Sequence, residues 1–125
     1  MRQVPKKVLV IDDEPQLLEL LKSRLESFSY QCFTAENPVA GIEVARRTHP
    51  DLILLDLMLP KMSGLGCLRE LKRNRSLSNI PVLVLTALGD EEIAREVMDL
   101  GAAAYITKTC NPQSLMDMVQ EYTHS

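Results

Sequence analysis

The sequence has no long apolar run, no basic block and few cysteines. No apolar stretch approaches the roughly 20 residues of a membrane-spanning helix, and the N-terminus has no hydrophobic signal segment. The net charge of −3 at pH 7, without clustered lysines or arginines, argues against nucleic acid or an anionic membrane as the main partner. The cysteines Cys32, Cys67 and Cys110 are odd in number and scattered, as free thiols in a reducing compartment are. These absences predict a cytoplasmic protein.

The 125 residues suffice for one hydrophobic core and are too few for two domains. Apolar residues make up 46% of the chain, and no linker or low-complexity tract interrupts it, so a packed fold is expected. We therefore predict a single domain over residues 1–125.

Short apolar segments alternate with segments of helical periodicity, five times in all. Such alternation predicts an α/β protein with a parallel sheet and helices on both faces. The segments expected as strands cover 6–11, 30–35, the run 52–60 with Asp56 at its carboxyl end, 80–86 and 103–107. The intervening helices are expected to begin near Pro15, Pro38, Leu65, Asp90 and Pro112.

The first helix shows the clearest apolar stripe. Leu18, Leu21, Leu25 and Phe28 fall at helical spacing and are predicted to face the core, whereas Leu20 lies off the stripe and is predicted to be exposed.

Polar residues follow four of the predicted strands. In a parallel sheet the carboxyl ends of all strands lie at one edge, and ligands bind there. The residues at that edge are Asp12 and Asp13 after the first strand, Asp56 at the third, Thr86 at the fourth and Lys108 after the fifth. Each alone has an ordinary structural explanation, such as a helix dipole for the acids or a surface position for the lysine. Their joint position favours a shared site.

Three clustered carboxylates repel one another and raise one another's pKa, which an oxygen-liganded divalent cation relieves. Mg²⁺ suits a few carboxylates together with water and a phosphoryl oxygen. A lysine adds a point charge for an anion, and a threonine adds a hydroxyl donor. The set therefore predicts a phosphoryl-acceptor site with one carboxylate as nucleophile.

Four motifs in order make this chain similar to the receiver domains of two-component response regulators, the CheY-like family. The motifs are Ile11-Asp12-Asp13-Glu14-Pro15, Asp56 through Gly64, Leu85-Thr86-Ala87, and Gly101 through Lys108. The resemblance covers essentially the whole chain. The resemblance implies a three-layer flavodoxin-like fold with strand order 2-1-3-4-5. It also implies a phosphorelay function, Mg²⁺ as cofactor, and a histidine kinase or histidine phosphotransfer domain as phosphodonor.

The resemblance further assigns roles to individual residues. Asp56 would accept the phosphoryl group, and Asp13, Asp56 and the backbone carbonyl of Met58 would bind Mg²⁺, with Asp12 acting largely through water. Lys108 would pair with the phosphate. Thr86 would bind the phosphate and move with it, and Tyr105 would follow as the switch aromatic, which changes the face formed by the fourth helix, fifth strand and fifth helix. A downstream effector, or an output domain outside this sequence, would bind that face.

Three other functions compete with this one for the same residues. A flavin- or nucleotide-binding module needs a phosphate-cradling loop after the first strand, where this chain has Asp12-Asp13-Glu14. An aspartate-based phosphatase needs a second carboxylate two residues after the nucleophile, where this chain has Met58. A degenerate receiver acting only as a scaffold is suggested by Thr109, which stands where the family usually has a cis proline.

Overall fold

The computed structural model describes residues 4–57, 63–86, 91–108 and 111–123. Within these ranges five strands alternate with five helices, as the sequence predicts. The strands are β1 (Lys7–Ile11), β2 (Gln31–Ala35), β3 (Leu52–Asp56), β4 (Val82–Thr86) and β5 (Ala104–Thr107). The helices are α1 (Pro15–Ser27), α2 (Pro38–Thr48), α3 (Ser63–Arg73), α4 (Glu91–Asp99) and α5 (Pro112–Thr123).

The strands form one parallel sheet in the order β2-β1-β3-β4-β5, which confirms the expected topology. The central strand β3 is buried along its whole length because helices cover both faces. Its side chains alternate between two cores: Ile53 and Leu55 lie in one, and Leu52 and Leu54 in the other. The sheet is thus the middle layer of three.

Helix α1 confirms most of the predicted stripe. Leu18, Leu21 and Leu25 are buried, and Leu20 is 54% exposed as expected. The prediction for Phe28 is wrong, because this residue lies after the last helical turn and is 40% exposed. Ser29, the next residue, adopts a left-handed conformation with φ 71°, so the helix does not continue past Phe28.

Asn37 and Gly101 mark the start of one helix and the end of another. The Asn37 side chain accepts a hydrogen bond from the Ala40 N–H at 2.8 Å and so caps α2. Gly101 ends the α4 segment with φ 106°, a conformation that residues with a Cβ rarely adopt. These caps fix where the chain re-enters the sheet.

Two of the three cysteines lie in the described residues, and both are buried free thiols. Burial raises the pKa of Cys32 to about 11 and the pKa of Cys67 to about 12, so neither forms a thiolate readily at neutral pH. In the described part of the chain, no helix has the length and apolarity needed to cross a membrane.

Several sequence expectations lie outside the described residues. They are the end of the predicted run 52–60, the Mg²⁺ contact from the Met58 carbonyl, the start of the fourth helix near Asp90, the conformation of the Lys108–Thr109 peptide, and the state of Cys110.

Candidate functional site

The pairing of β1 with β3 brings two aspartates together. Ile11 is in register with Leu55, so the residues that follow them, Asp12 and Asp56, leave the sheet side by side. Each is only 1% exposed. Burial of two carboxylates at adjacent positions is costly unless a cation accompanies them.

Asp12 is held by backbone groups on both sides. Its N–H donates to the Ala35 carbonyl at 3.0 Å, and its Oδ1 accepts a hydrogen bond from the Glu14 N–H at 2.9 Å. The first bond holds the backbone and the second holds one carboxylate oxygen. The other oxygen, Oδ2, lies 3.1 Å from the ammonium of Lys108.

A third carboxylate completes the cluster. Asp13 is exposed, and one oxygen from each of Asp12, Asp13 and Asp56 can be chosen so that all lie within 4.8 Å of one another. This set of hard oxygen donors, two buried and one open to water, has the chemistry that Mg²⁺ requires. The residues present therefore fit a divalent cation.

Lys108 provides the positive charge of the site. Its backbone N–H donates to the Thr86 carbonyl at 2.7 Å, which places the residue just beyond the ends of β4 and β5. Its Nζ lies 3.1 Å from Asp56 Oδ2 and 3.1 Å from Asp12 Oδ2. The predicted convergence of Asp12, Asp13, Asp56 and Lys108 is thus observed.

The pKa values of Lys108 and Asp12 are both raised, but for different reasons. Burial alone lowers the pKa of Lys108, but hydrogen bonds and charge attraction from Asp56 and Asp12 outweigh it and raise the pKa above its ordinary value. Burial and the charge of Asp56 raise the pKa of Asp12, although the Glu14 N–H and Lys108 partly offset them. One ammonium therefore does not compensate all the carboxylates.

We expect the substitution Asp12→Asn to stabilise the metal-free protein. A raised acid pKa means that the folded state binds a proton more tightly than the unfolded chain, so charged Asp12 destabilises the fold at neutral pH. The amide keeps an oxygen for the Glu14 N–H, and Lys108 keeps Asp56 as a partner. In EDTA at pH 7 the midpoint of thermal unfolding should rise by about 4 °C, corresponding to about 1 kcal/mol.

The pH dependence of the unfolding midpoint tests whether the charge on Asp12 is the cause. As the pH falls through the raised folded pKa of Asp12 toward the ordinary value of 3.8, protonation of Asp12 stabilises the wild type. The difference in unfolding midpoint between Asp12→Asn and the wild type should therefore shrink. The exposed carboxylate Asp99 gives a control, because Asp99→Asn should change little. A lower midpoint for Asp12→Asn than for the wild type at pH 7 would contradict the argument.

Thr86 and Tyr105 occupy the strand positions that the sequence predicts. Thr86 is fully buried at the end of β4, opposite Thr107 in register, and Tyr105 is half-buried in β5 opposite Val84. Tyr105 packs against the core that contains Ile53.

Glu14 is the site residue that sequence reasoning missed. Its Oε1 lies 3.4 Å from Lys108 Nζ, across 94 positions of sequence, yet its place after Asp12-Asp13 suggested only a favourable helix terminus. Its adjacency to the two aspartates was the available signal, but the contact with Lys108 depends on the three-dimensional arrangement.

Comparison with known proteins agrees with this geometry. Residues 8–120 match the family model described as the response regulator receiver domain. The phosphate regulon transcriptional regulatory protein PhoB of Pseudomonas aeruginosa is 41% identical over 113 residues, which cover 90% of this chain and 49% of that protein. RpaA of Synechocystis, a DNA-binding dual master transcriptional regulator, is 37% identical over 91% of this chain and 47% of its own length.

A solved structure gives the same result. The BeF₃-activated N-terminal receiver domain of Klebsiella pneumoniae RstA superposes with a TM-score of 0.87 and 28% identity, covering 96% of this chain and all of that one. The chain spans about half the length of the two curated relatives just described. With the fold, the acidic cluster and the family match in agreement, this chain belongs to the response regulator receiver domain family of two-component signalling.

Proposed function

We propose that this receiver domain accepts a phosphoryl group on Asp56 in a Mg²⁺-dependent reaction that the domain itself promotes. The observation that carries the proposal is the Lys108 ammonium, 3.1 Å from a carboxylate oxygen of Asp56, beside a cluster of three aspartates. Asp56 ends the central strand, so its position at the carboxyl edge is fixed by the sheet.

In the proposed reaction an oxygen of Asp56 attacks the phosphorus of a phosphohistidine. The new O–P bond forms as the bond from phosphorus to the imidazole nitrogen breaks, and that nitrogen keeps the electron pair. The products are an acyl phosphate on Asp56 and a neutral histidine, whose one imidazole proton was already on the other ring nitrogen of the phosphohistidine before transfer. Lys108 stabilises the negative charge on the phosphoryl oxygens during transfer. Attack by water on the same acyl phosphate would return Asp56 and release inorganic phosphate.

Asp12, Asp13 and Asp56 would hold the Mg²⁺, together with the Met58 carbonyl that the family resemblance implies. When bound, the cation would supply positive charge that offsets the repulsion between the carboxylates and an incoming phosphoryl group. A carboxylate has two oxygens, so Asp56 could hold the cation and still keep an oxygen able to attack phosphorus.

The proposed donor is a histidine kinase or a histidine phosphotransfer domain, since the family belongs to two-component signalling. Transfer from such a phosphorylated donor to Asp56, followed with radiolabelled phosphate, checks this assignment.

The names of PhoB and RpaA describe transcriptional regulators, and the matched segment is about half of each. We propose that, after phosphorylation of Asp56, the face formed by α4, β5 and α5 acts on an effector protein or an output domain. The net charge of −3 supports the expectation that these 125 residues do not themselves bind nucleic acid.

Thr86 and Tyr105 are proposed to transmit the signal. The acyl phosphate adds nearly two negative charges next to the end of β4, where the Thr86 hydroxyl can donate to it. A shift of Thr86 would change the end of β4 and the packing of Tyr105 on the neighbouring strand, and hence the face formed by α4, β5 and α5.

Beryllofluoride, an analogue of the phosphoryl group, tests the site and the switch together. We expect ¹⁵N-labelled protein titrated with beryllofluoride and Mg²⁺ to show amide shift changes at Asp56, Thr86 and Lys108, extending along β5 to α4 and α5. In EDTA the same titration should leave the spectrum unchanged, because the aspartate cluster would repel the anion. Saturating beryllofluoride and Mg²⁺ that left Thr86 and β5 unshifted would contradict the switch, and binding without Mg²⁺ would contradict the metal requirement.

A further inference from the structure

Lys108 contacts a third carboxylate besides the two buried aspartates. Its Nζ lies 3.1 Å from Asp12 Oδ2, 3.1 Å from Asp56 Oδ2 and 3.4 Å from Glu14 Oε1. An ammonium has three N–H groups and no others to offer. A phosphoryl oxygen can therefore bind Lys108 fully only if one of these carboxylates gives up its place.

The three carboxylates differ in how easily they can leave. Asp12 and Asp56 are each 1% exposed, and Asp12 is fixed further by the Glu14 N–H. The Glu14 side chain is 65% exposed and can exchange Lys108 for water by side-chain rotation. Exposed ion pairs of this kind contribute little to stability, so the exchange is easy. Glu14 is thus the partner of Lys108 that a phosphoryl oxygen would displace.

Displacement would not remove the charge of Glu14 from the site. The Glu14 carbonyl accepts the Leu18 N–H at 3.0 Å at the start of α1, and its own N–H donates to Asp12, so its backbone is held at both ends. After release from Lys108 the carboxylate remains near the approaching anion. Like charges at such distances repel, and salt screens the repulsion because the group is exposed.

We propose that Glu14 is a positioning residue that occupies the third donor of Lys108 in the resting protein and slows phosphorylation by anionic donors. The inference rests on the proposed phosphoryl-acceptor function and adds a control of its rate. Glu14 holds the ammonium in place from the solvent side, and its charge opposes each anion that approaches Asp56. Removing that charge makes Lys108 more available and phosphorylation faster.

The test compares the wild type with Glu14→Gln, using acetyl phosphate as donor at saturating Mg²⁺. In this reaction Asp56 forms the O–P bond while the P–O bond to acetate breaks and acetate leaves. At low ionic strength the variant should be phosphorylated about three- to tenfold faster, as expected for one partly exposed charge at short range. The ratio should fall toward one in about 1 M salt, where the screening length is about 3 Å. The affinity for beryllofluoride should rise by a similar factor.

The matched control is Glu19→Gln, which removes another exposed carboxylate from α1 without a Lys108 contact to lose. Its rate should equal that of the wild type. An equal increase in both variants, a salt-independent increase, or an unchanged or slower Glu14→Gln would overturn the role of Glu14 alone, provided that the wild type is phosphorylated. A wild type that takes up no phosphoryl group would instead overturn the proposed function and this inference with it.

Discussion

Replacing Asp56 with asparagine is expected to abolish phosphoryl uptake. The wild type, incubated with acetyl phosphate and Mg²⁺, should gain the mass of one phosphoryl group, whereas Asp56→Asn should gain none. The amide is close in shape to the carboxylate but has no anionic oxygen to attack phosphorus. The Asp56 side chain is 1% exposed at the end of the central strand β3, so its position is set by the sheet. Intact-mass spectrometry after a short incubation measures the difference.

The control for this variant is Asp99→Asn, which makes the same chemical change on the exposed surface of α4. It should be phosphorylated like the wild type. Equal uptake by Asp56→Asn and the wild type would refute Asp56 as the acceptor, and peptide mapping of the modified residue would then identify the true one.

Replacing Lys108 with methionine is expected to damage both reactivity and stability. The methionine has similar length but no charge, so the phosphoryl oxygens lose a donor that acts where negative charge develops. The rate of phosphorylation by acetyl phosphate at saturating Mg²⁺ should fall by about 100-fold, the usual consequence of removing one such group. Without Mg²⁺, Asp12 and Asp56 would face each other uncompensated in a buried position. The free energy of unfolding should then decrease by about 3 kcal/mol.

Lys22→Met serves as the matched control, because Lys22 is exposed on α1 and should tolerate the same change with little effect. Urea unfolding in EDTA gives the stability, and the time course of phosphorylation gives the rate. A Lys108→Met variant as reactive as the Lys22 control would show that the ammonium is dispensable for transfer.

The fold was largely predictable from local patterns. Continuous apolar runs such as Leu52–Leu55 indicate strands covered on both faces, and Asn37 and Gly101 mark helix ends by well-understood backbone chemistry. Phe28 was misassigned because periodicity alone does not show where a helix stops. The left-handed turn at Ser29 had no glycine or proline to announce it.

The candidate site was predictable for a different reason. Parallel strands bring their carboxyl ends to one edge, so the positions of Asp12, Asp56 and Lys108 in the sequence already implied proximity. The contact between Glu14 and Lys108 was not predictable. It depends on how two long side chains reach across the gap between separate elements, which no spacing along the chain encodes. The roles of Thr86 and Tyr105 remain proposals.

The hydrogen bond from the Lys108 backbone to the Thr86 carbonyl has a mechanical consequence. The bond joins the end of β4 to the backbone of Lys108 without involving either side chain. A substitution of Thr86 therefore removes its hydroxyl and leaves this bond to Lys108 in place. If phosphorylation shifts Thr86 as proposed, this hydrogen bond would move the Lys108 backbone together with the end of β4. The hydroxyl proposed to sense the phosphoryl group and the ammonium proposed to pair with it would then move together.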